Sequence, residues 1–319
     1  MNALLGAVDQ ALVPVMAIIF CGYVWRRVTP GGLDAPLMRR VLGALVMYVT
    51  YPALAFSVVT HADLTAEVLW VPGLTIVSIF MGVLLGRLVA PLAGISGRAE
   101  IGVVILACGF GNLISMGIPV VAAVFGLAAS RYAIYADIMG LAPLLWTLGF
   151  WIALHFGRDD GDDSPGVAAG ALIARILRLP PIWAFFVALG FNFGGVTLPS
   201  GIDRAADMVG QATMPCMLLT VGMSLSFASV RQYPRAIAVV AAVKLLLIPA
   251  LILVVGELLL GSSEMLSATV LLAAMPTMMA TIILSEEFGL NTELLATLMV
   301  GNTLLFFVTL PGWLYILVT

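Results

Sequence analysis

Charge is scarce in this chain. Only 10% of its 319 residues are Asp, Glu, Lys or Arg, and Lys244 is the single lysine. Soluble proteins average about 25% charged residues. With 62% hydrophobic residues, the chain holds more apolar side chain than a soluble domain of its size can hide. Other scarcities exclude whole classes. There is no HExxH, GxSxG or Walker loop, so the common metalloprotease, serine-hydrolase and nucleotide-binding signatures are missing. The three cysteines (Cys21, Cys108, Cys216) lie in separate apolar runs without CxxC spacing, which suggests small apolar fillers and neither a disulfide framework nor a metal site. No Lys or Arg precedes the first apolar run, and Arg26 and Arg27 follow it, the pattern of a retained span and not of a cleaved signal peptide.

What the chain has in abundance is long apolar runs. They recur along its whole length, which is the helical-span signature and not the short alternation of a membrane barrel. Ten spans are expected, at 8–26, 38–60, 69–92, 101–126, 130–156, 180–198, 204–227, 235–258, 265–287 and 293–317, the second open to ending early at Pro52. An acidic, Gly- and Pro-containing connector, GRDDGDDSPG (157–166), divides them. This gives residues 1–156 as a first five-span unit, 157–179 as a cytoplasmic linker and 180–319 as a second five-span unit. With the N-terminus outside, eleven arginines fall on inner loops (26, 27, 39, 40, 87, 98, 158, 175, 178, 231, 235) and two on outer loops (131, 204). That positive-inside bias puts both termini outside. Trp25, Trp70, Trp151, Trp183 and Trp313 lie near span ends, as an interfacial aromatic belt does.

Five spans per half is an odd number, so any internal repeat is inverted. YPALAFSV (51–58) in span two and MPCMLLTV (214–221) in span seven carry Pro at the same place. Span four is interrupted near Gly117, Ile118 and Pro119, and span nine at AAMPTMMAT (273–281). Paired interruptions at matching positions point to the binding site of a secondary transporter. Pro119 cannot donate its N–H and its ring disfavours the carbonyl of Ser115, while Gly111 and Gly117 loosen the segment. Backbone freed this way is tolerated only inside protein or beside a water-filled cavity. Asn112, Ser115 and Met116 share one helical face by their spacing. In span nine, Pro276 is followed by a hydroxyl stripe of Thr277, Thr281 and Ser285. If the two breaks cross, two half-helix N-termini meet near mid-membrane and suit a carboxylate.

Two ionisable groups lie deep within spans, where they are costly and mark functional positions by default. Asp137 is about 10 Å into span five at ~1.5 Å per residue. It could ligate sodium or carry a proton. Lys244, near the middle of span eight, could pair with Asp137 or attract an anionic substrate.

Three segments carry a family resemblance. GNLISMGIPVVAAVFG resembles the fourth-span motif of the auxin efflux carrier family. Residues 273–313 resemble that family's ninth and tenth spans, and YPALAFSVVTHADL is similar to its second. The match covers nearly the whole chain, and the short central linker resembles that of bacterial members, which include malonate and malate transporters. The resemblance implies the fold shared with bile-acid/sodium symporters: an all-α membrane protein of ten helices in a 5+5 inverted repeat, with broken helices 4 and 9 crossing. It implies a scaffold of spans 1, 2, 6 and 7, a mobile elevator of the other six, and a homodimer through the scaffold. It implies a substrate site at Asn112, Ser115, Gly117, Pro119, Pro276 and Thr277. Coupling would fall to Asp137, Thr281, Asn302 and Lys244, with Na+ at Asp137, Thr277 and Thr281 as one option. Plant members have a neutral residue near Asp137, which leaves Na+ and H+ both open. The function expected is secondary transport of a small organic anion across the bacterial inner membrane, with no nucleic acid, no enzyme chemistry and no cofactor beyond a coupling ion. A channel or a ligand-binding sensor on the same fold is the alternative.

Overall fold

A computed structural model describes residues 2–62, 67–157, 180–196, 198–225 and 232–318. The described residues are helical throughout, with no strand. In chain order the helices are α1 (Asn2–Val28), α2 (Ala35–Thr60), α3 (Glu67–Val89), α4a (Arg98–Gly109), α4b (Leu113–Phe125) and α5 (Leu127–Gly157). They continue as α6 (Pro180–Phe193), α7a (Ser200–Gln211), α7b (Thr213–Ser224), α8 (Pro234–Leu260), α9a (Glu264–Ala273), α9b (Thr281–Glu287) and α10 (Thr292–Val318). Five of them (α2, α3, α5, α8 and α10) are long and apolar enough to cross a membrane. The linker expected at 157–179 lies outside the described residues except for Gly157, as do Arg158, Arg175, Arg178 and Arg231.

Proline shapes these helices without ending them. Five helical turns widen to i→i+5 hydrogen bonding: Leu145–Gly149, with no proline just after it, and the four at Val46–Thr50, Leu113–Gly117, Ala136–Leu141 and Ala242–Leu247. Each of these last four is followed two residues later by a proline: Pro52, Pro119, Pro143 and Pro249. Proline offers no N–H to the carbonyl four residues back and crowds it. The residue before each proline therefore bonds one residue further back, as Ile248 does to Val243, and the turn opens into a π-bulge. Thus α2 runs through Pro52 to Thr60 and does not end early. The carbonyl that Pro249 displaces is that of Leu245, and the buried Trp313 indole N–H takes it up at 2.7 Å. Trp313 was expected in the interfacial belt. The displaced carbonyl gives it an interior partner instead, while Trp70, Trp151 and Trp183 remain exposed.

The core follows from which helices are apolar all round. Residues 102–109 of α4a are all buried, as are eight of the ten residues of α9a, all but Glu264 and Ser267. A helix hydrophobic on every face belongs inside. The outer helices carry exposed Phe20, Leu84, Leu88, Trp183, Leu258 and Val308. Such a surface suits lipid tails and not water. Helices meet closely where side chains vanish. A Cβ on Gly22 would overlap the Leu219 carbonyl, and one on Gly222 would overlap that of Ile19, so α1 and α7b cross backbone against backbone. A Cβ on Gly82 would likewise overlap the Cys108 carbonyl, so α3 and α4a also cross closely. Close approach through small residues is how helices associate where lipid competes for apolar surface.

Replacing Gly222 by Leu should separate α1 from α7b at a cost of about 1–3 kcal/mol, the scale of overpacking. Thermal unfolding of the purified protein checks this. An unchanged midpoint would refute the close crossing.

Candidate functional site

The two helix interruptions face each other. Phe110 is extended (φ −109°, ψ 115°), and Asn112 (φ −84°, ψ 75°) lies outside both α4a and α4b. The Asn112 N–H donates to the Pro276 carbonyl at 2.8 Å, and the Met278 N–H donates to the Phe110 carbonyl at 3.0 Å. Gly111 and Thr277 thereby form a single antiparallel bridge. Each break leaves backbone polar groups without helical partners, and each break satisfies the other, as a buried backbone requires.

Side chains close the remaining helix ends. The Thr277 hydroxyl donates to the Ala107 carbonyl near the end of α4a at 2.9 Å, and Asn302 Nδ2 on α10 donates to the same hydroxyl oxygen at 2.9 Å. Lys244 Nζ donates to the Ala273 carbonyl that ends α9a at 3.3 Å. A cation belongs there, because carbonyls at a helix C-terminus carry partial negative charge. The lysine is 2% exposed. It fits because Gly111 has no Cβ: one built there would stand 3.1 Å from Nζ.

Asn112 is the hinge between this bridge and the space beside it. Its Oδ1 accepts from the Ser115 N–H at 3.2 Å and so caps α4b. Capping fixes the amide orientation, since only the oxygen can accept. Nδ2 is then left as a donor with no hydrogen bond among the described residues. Asn112 lines an open cavity of about 860 Å³ together with Arg39, Arg40, Ser115, Met217, Thr220 and residues 278–280. Two donor-bearing helices, α2 and α4b, therefore look into one space with the α9 break at its edge. The arrangement suits a small anion.

A family model described as "Membrane transport protein" matches residues 7–314. The chain belongs to this family, that of the auxin efflux carriers. Among relatives in the family, an "Uncharacterized transporter" of Methanothermobacter thermautotrophicus is 26% identical over 97% of this chain and 98% of its own length. A "Putative malonate transporter" of Rhizobium meliloti is 24% identical over 96% of this chain and 94% of its own. The "Uncharacterized transporter YfdV" of Escherichia coli is 25% identical over 96% of each. This family member is a multi-pass membrane protein.

The expected site residues divide. Asn112 and Ser115 line the cavity, and the Ser115 hydroxyl donates to Met217 Sδ at 3.3 Å. Met116 does not share their face. It is fully buried, because Asn112 sits outside the helix. Gly117 packs on Leu272, and Pro119 lines a separate apolar cavity with Pro14, Met214 and Pro215. The α4 interruption is at 110–112 and not at Gly117–Pro119, since the π-turn Leu113–Gly117 absorbs Pro119 inside α4b. Pro276 contributes its carbonyl to the bridge, and Thr277 and Asn302 tie the breaks together. The hydroxyl stripe does not form on one helix: Thr277 lies in the break, while Thr281 opens α9b and bonds back to the Met278 carbonyl. Asp137 and Lys244 are not paired. Asp137 Oδ2 accepts from the Tyr51 hydroxyl on α2 at 3.0 Å, and Oδ1 is buried without a partner. Sequence reading missed Tyr51, Arg39 and Arg40. The arginines were counted only as inner-loop charges, and their place in the second turn of α2 was the available signal.

Thr277→Val should leave the Ala107 carbonyl and the Asn302 amide unpaired, at about 1–3 kcal/mol for buried groups. Thermal unfolding should show the loss, and Thr277→Ser should restore stability. Equal stability of the two variants would contradict the tie.

Proposed function

We propose that this family member is a secondary active transporter of a small organic carboxylate, working by alternating access. The observation that carries the reading is Asn112. It joins the bridge by its backbone, caps α4b by its amide oxygen and lines the cavity with its amide nitrogen left as a donor. That nitrogen and the positive N-terminal end of α4b would hold the carboxylate. The printed name of the Rhizobium meliloti relative supports a short carboxylate such as malonate.

In this reading the helices form ten spans in an inverted 5+5 repeat, with α4 and α9 crossing at their breaks. α1, α2, α6 and α7 form a scaffold and the rest a mobile unit. Supporting this division, α1 packs on α7b and α2 on α6, while α3, α4a, α5 and the α8–α9–α10 group pack among themselves. The cavity lies between the two groups, where an elevator movement would carry its contents across. The inner bias of the arginines sets both termini outside, and a dimer would form through the scaffold.

For coupling, the geometry supports a proton at Asp137 over sodium. Of the oxygens considered for sodium, the Thr277 hydroxyl bonds Ala107 and Asn302 and the Thr281 hydroxyl bonds Met278, while Asp137 keeps one oxygen with Tyr51 and one free to carry a proton. Lys244 is anchored at the breaks through the Ala273 carbonyl. The Tyr51–Asp137 hydrogen bond joins the proposed scaffold to the proposed mobile unit, so each cycle must break it. Protonation of Asp137 would set when.

Asn112→Asp keeps a capping oxygen but loses the amide donor and adds a negative charge. Carboxylate uptake into proteoliposomes should fall at least about tenfold, the scale of one charge-assisted hydrogen bond, with the unfolding midpoint retained. Wild-type uptake by this variant would overturn the assignment. Asp137→Asn should abolish the dependence of uptake on a pH gradient. Persistence of that dependence, or a sodium requirement in the wild type, would remove proton coupling at Asp137.

A further inference from the structure

We infer that the cavity is built for a dianion, a short dicarboxylate whose second carboxylate is bound by Arg39 and Arg40. This rests on the proposed role of Asn112 and extends it to the opposite wall. Both arginines line the same cavity as Asn112 and Ser115, yet they come from α2, across from α4b. Neither has an acidic partner: among the described residues, the one ion pair is His61 with Asp203, far along the chain from both. The nearest acidic residue in sequence, Asp34, has its carboxylate engaged in capping α2 through the Leu37 N–H at 2.9 Å. The other guanidinium nearby, Arg26, has its own partner. It donates to the Leu225 carbonyl at 2.7 Å, beyond the end of α7b, and repels Arg39. The positive charge at this wall is therefore uncompensated by protein.

The hydrogen bonding of Arg39 shows which edge is free. Nη1 donates to the Ser224 hydroxyl at 3.1 Å, which anchors the side chain against α7b. Nε is buried and has no partner. An unpaired buried donor of a charged group is costly, and the expected remedy is an incoming acceptor. The free Nε edge of a guanidinium, with its neighbouring Nη, is the edge that takes a carboxylate through two parallel bonds. Arg40 is exposed at the same cavity and adds charge without such an anchor. A monocarboxylate at Asn112 would leave this wall unpaired. A dicarboxylate satisfies both walls at once.

The test compares malonate with propionate, of similar size but one charge fewer. Binding is measured by calorimetry on the full chain in phosphatidylcholine nanodiscs, where no anionic headgroup competes. The wild type should prefer malonate by at least about tenfold, the effect of ~1.4 kcal/mol. Arg39→Gln should bring malonate down to the propionate level and leave propionate unchanged. Arg39→Lys should recover only part of the preference, having charge without the fork. Arg40→Gln, which removes no internal hydrogen bond, should lower the preference with the unfolding midpoint unchanged. Asn112→Asp should weaken both ligands. Equal binding of malonate and propionate by the wild type, or an equal loss of both in Arg39→Gln and Arg40→Gln, would overturn the dianion site while leaving the carboxylate reading intact. If neither ligand nor any other small carboxylate binds the wild type, the proposed function itself fails.

Discussion

Two backbone hydrogen bonds hold the centre of this protein: Asn112 N–H to the Pro276 carbonyl, and Met278 N–H to the Phe110 carbonyl. In a bilayer no water reaches an interrupted helix, so its freed backbone groups must find partners in protein. Neither break could exist alone at that depth. Their pairing lets both exist, and it brings Gly111 and Thr277 together.

The surrounding polar residues follow from that pairing. The carbonyl ends of α4a and α9a receive Thr277 and Lys244, and Asn302 steadies Thr277 from α10. A Cβ on Gly111 would press on Lys244 Nζ, 3.1 Å away. On the other side, Asn112 caps α4b with its amide oxygen and lines the cavity, which leaves its amide nitrogen as a free donor. In the proposed reading, structural satisfaction and ligand recognition use different atoms of one side chain. The prolines act in the same economy of hydrogen bonds. Each displaces a carbonyl, and the π-bulges before them carry Asp137 and Lys244. Leu245 shows the consequence: its displaced carbonyl is taken up by Trp313 from another helix.

Much of this was legible in the sequence, and the failures have physical causes. The apolar runs located the helices, since composition alone forbids a soluble core. The α9 break was legible because Pro276 coincides with it, between the end of α9a at Ala273 and the start of α9b at Thr281. The α4 break was misplaced because Pro119 was absorbed by a π-turn, an outcome that local sequence does not distinguish from a break. Asn112 was found as a polar residue in a span, but its capping role depends on where the helix starts. Tyr51 was invisible, since its bond to Asp137 joins residues 86 apart in sequence. Arg39 and Arg40 were read as loop charges because the start of α2 fixes their depth, and nothing local showed which helices they would face.

The central claim is that the cavity beside the joined breaks holds the transported carboxylate. The most direct test is alkylation of Ser115→Cys by a membrane-impermeant reagent, with the exposed Cys21 and half-buried Cys216 changed to serine. The cysteine should label, and malonate or another small carboxylate should slow the labelling, with Asn112→Asp removing the protection. A position that never labels, or one that labels at the same rate with and without every small carboxylate tried, would contradict the account.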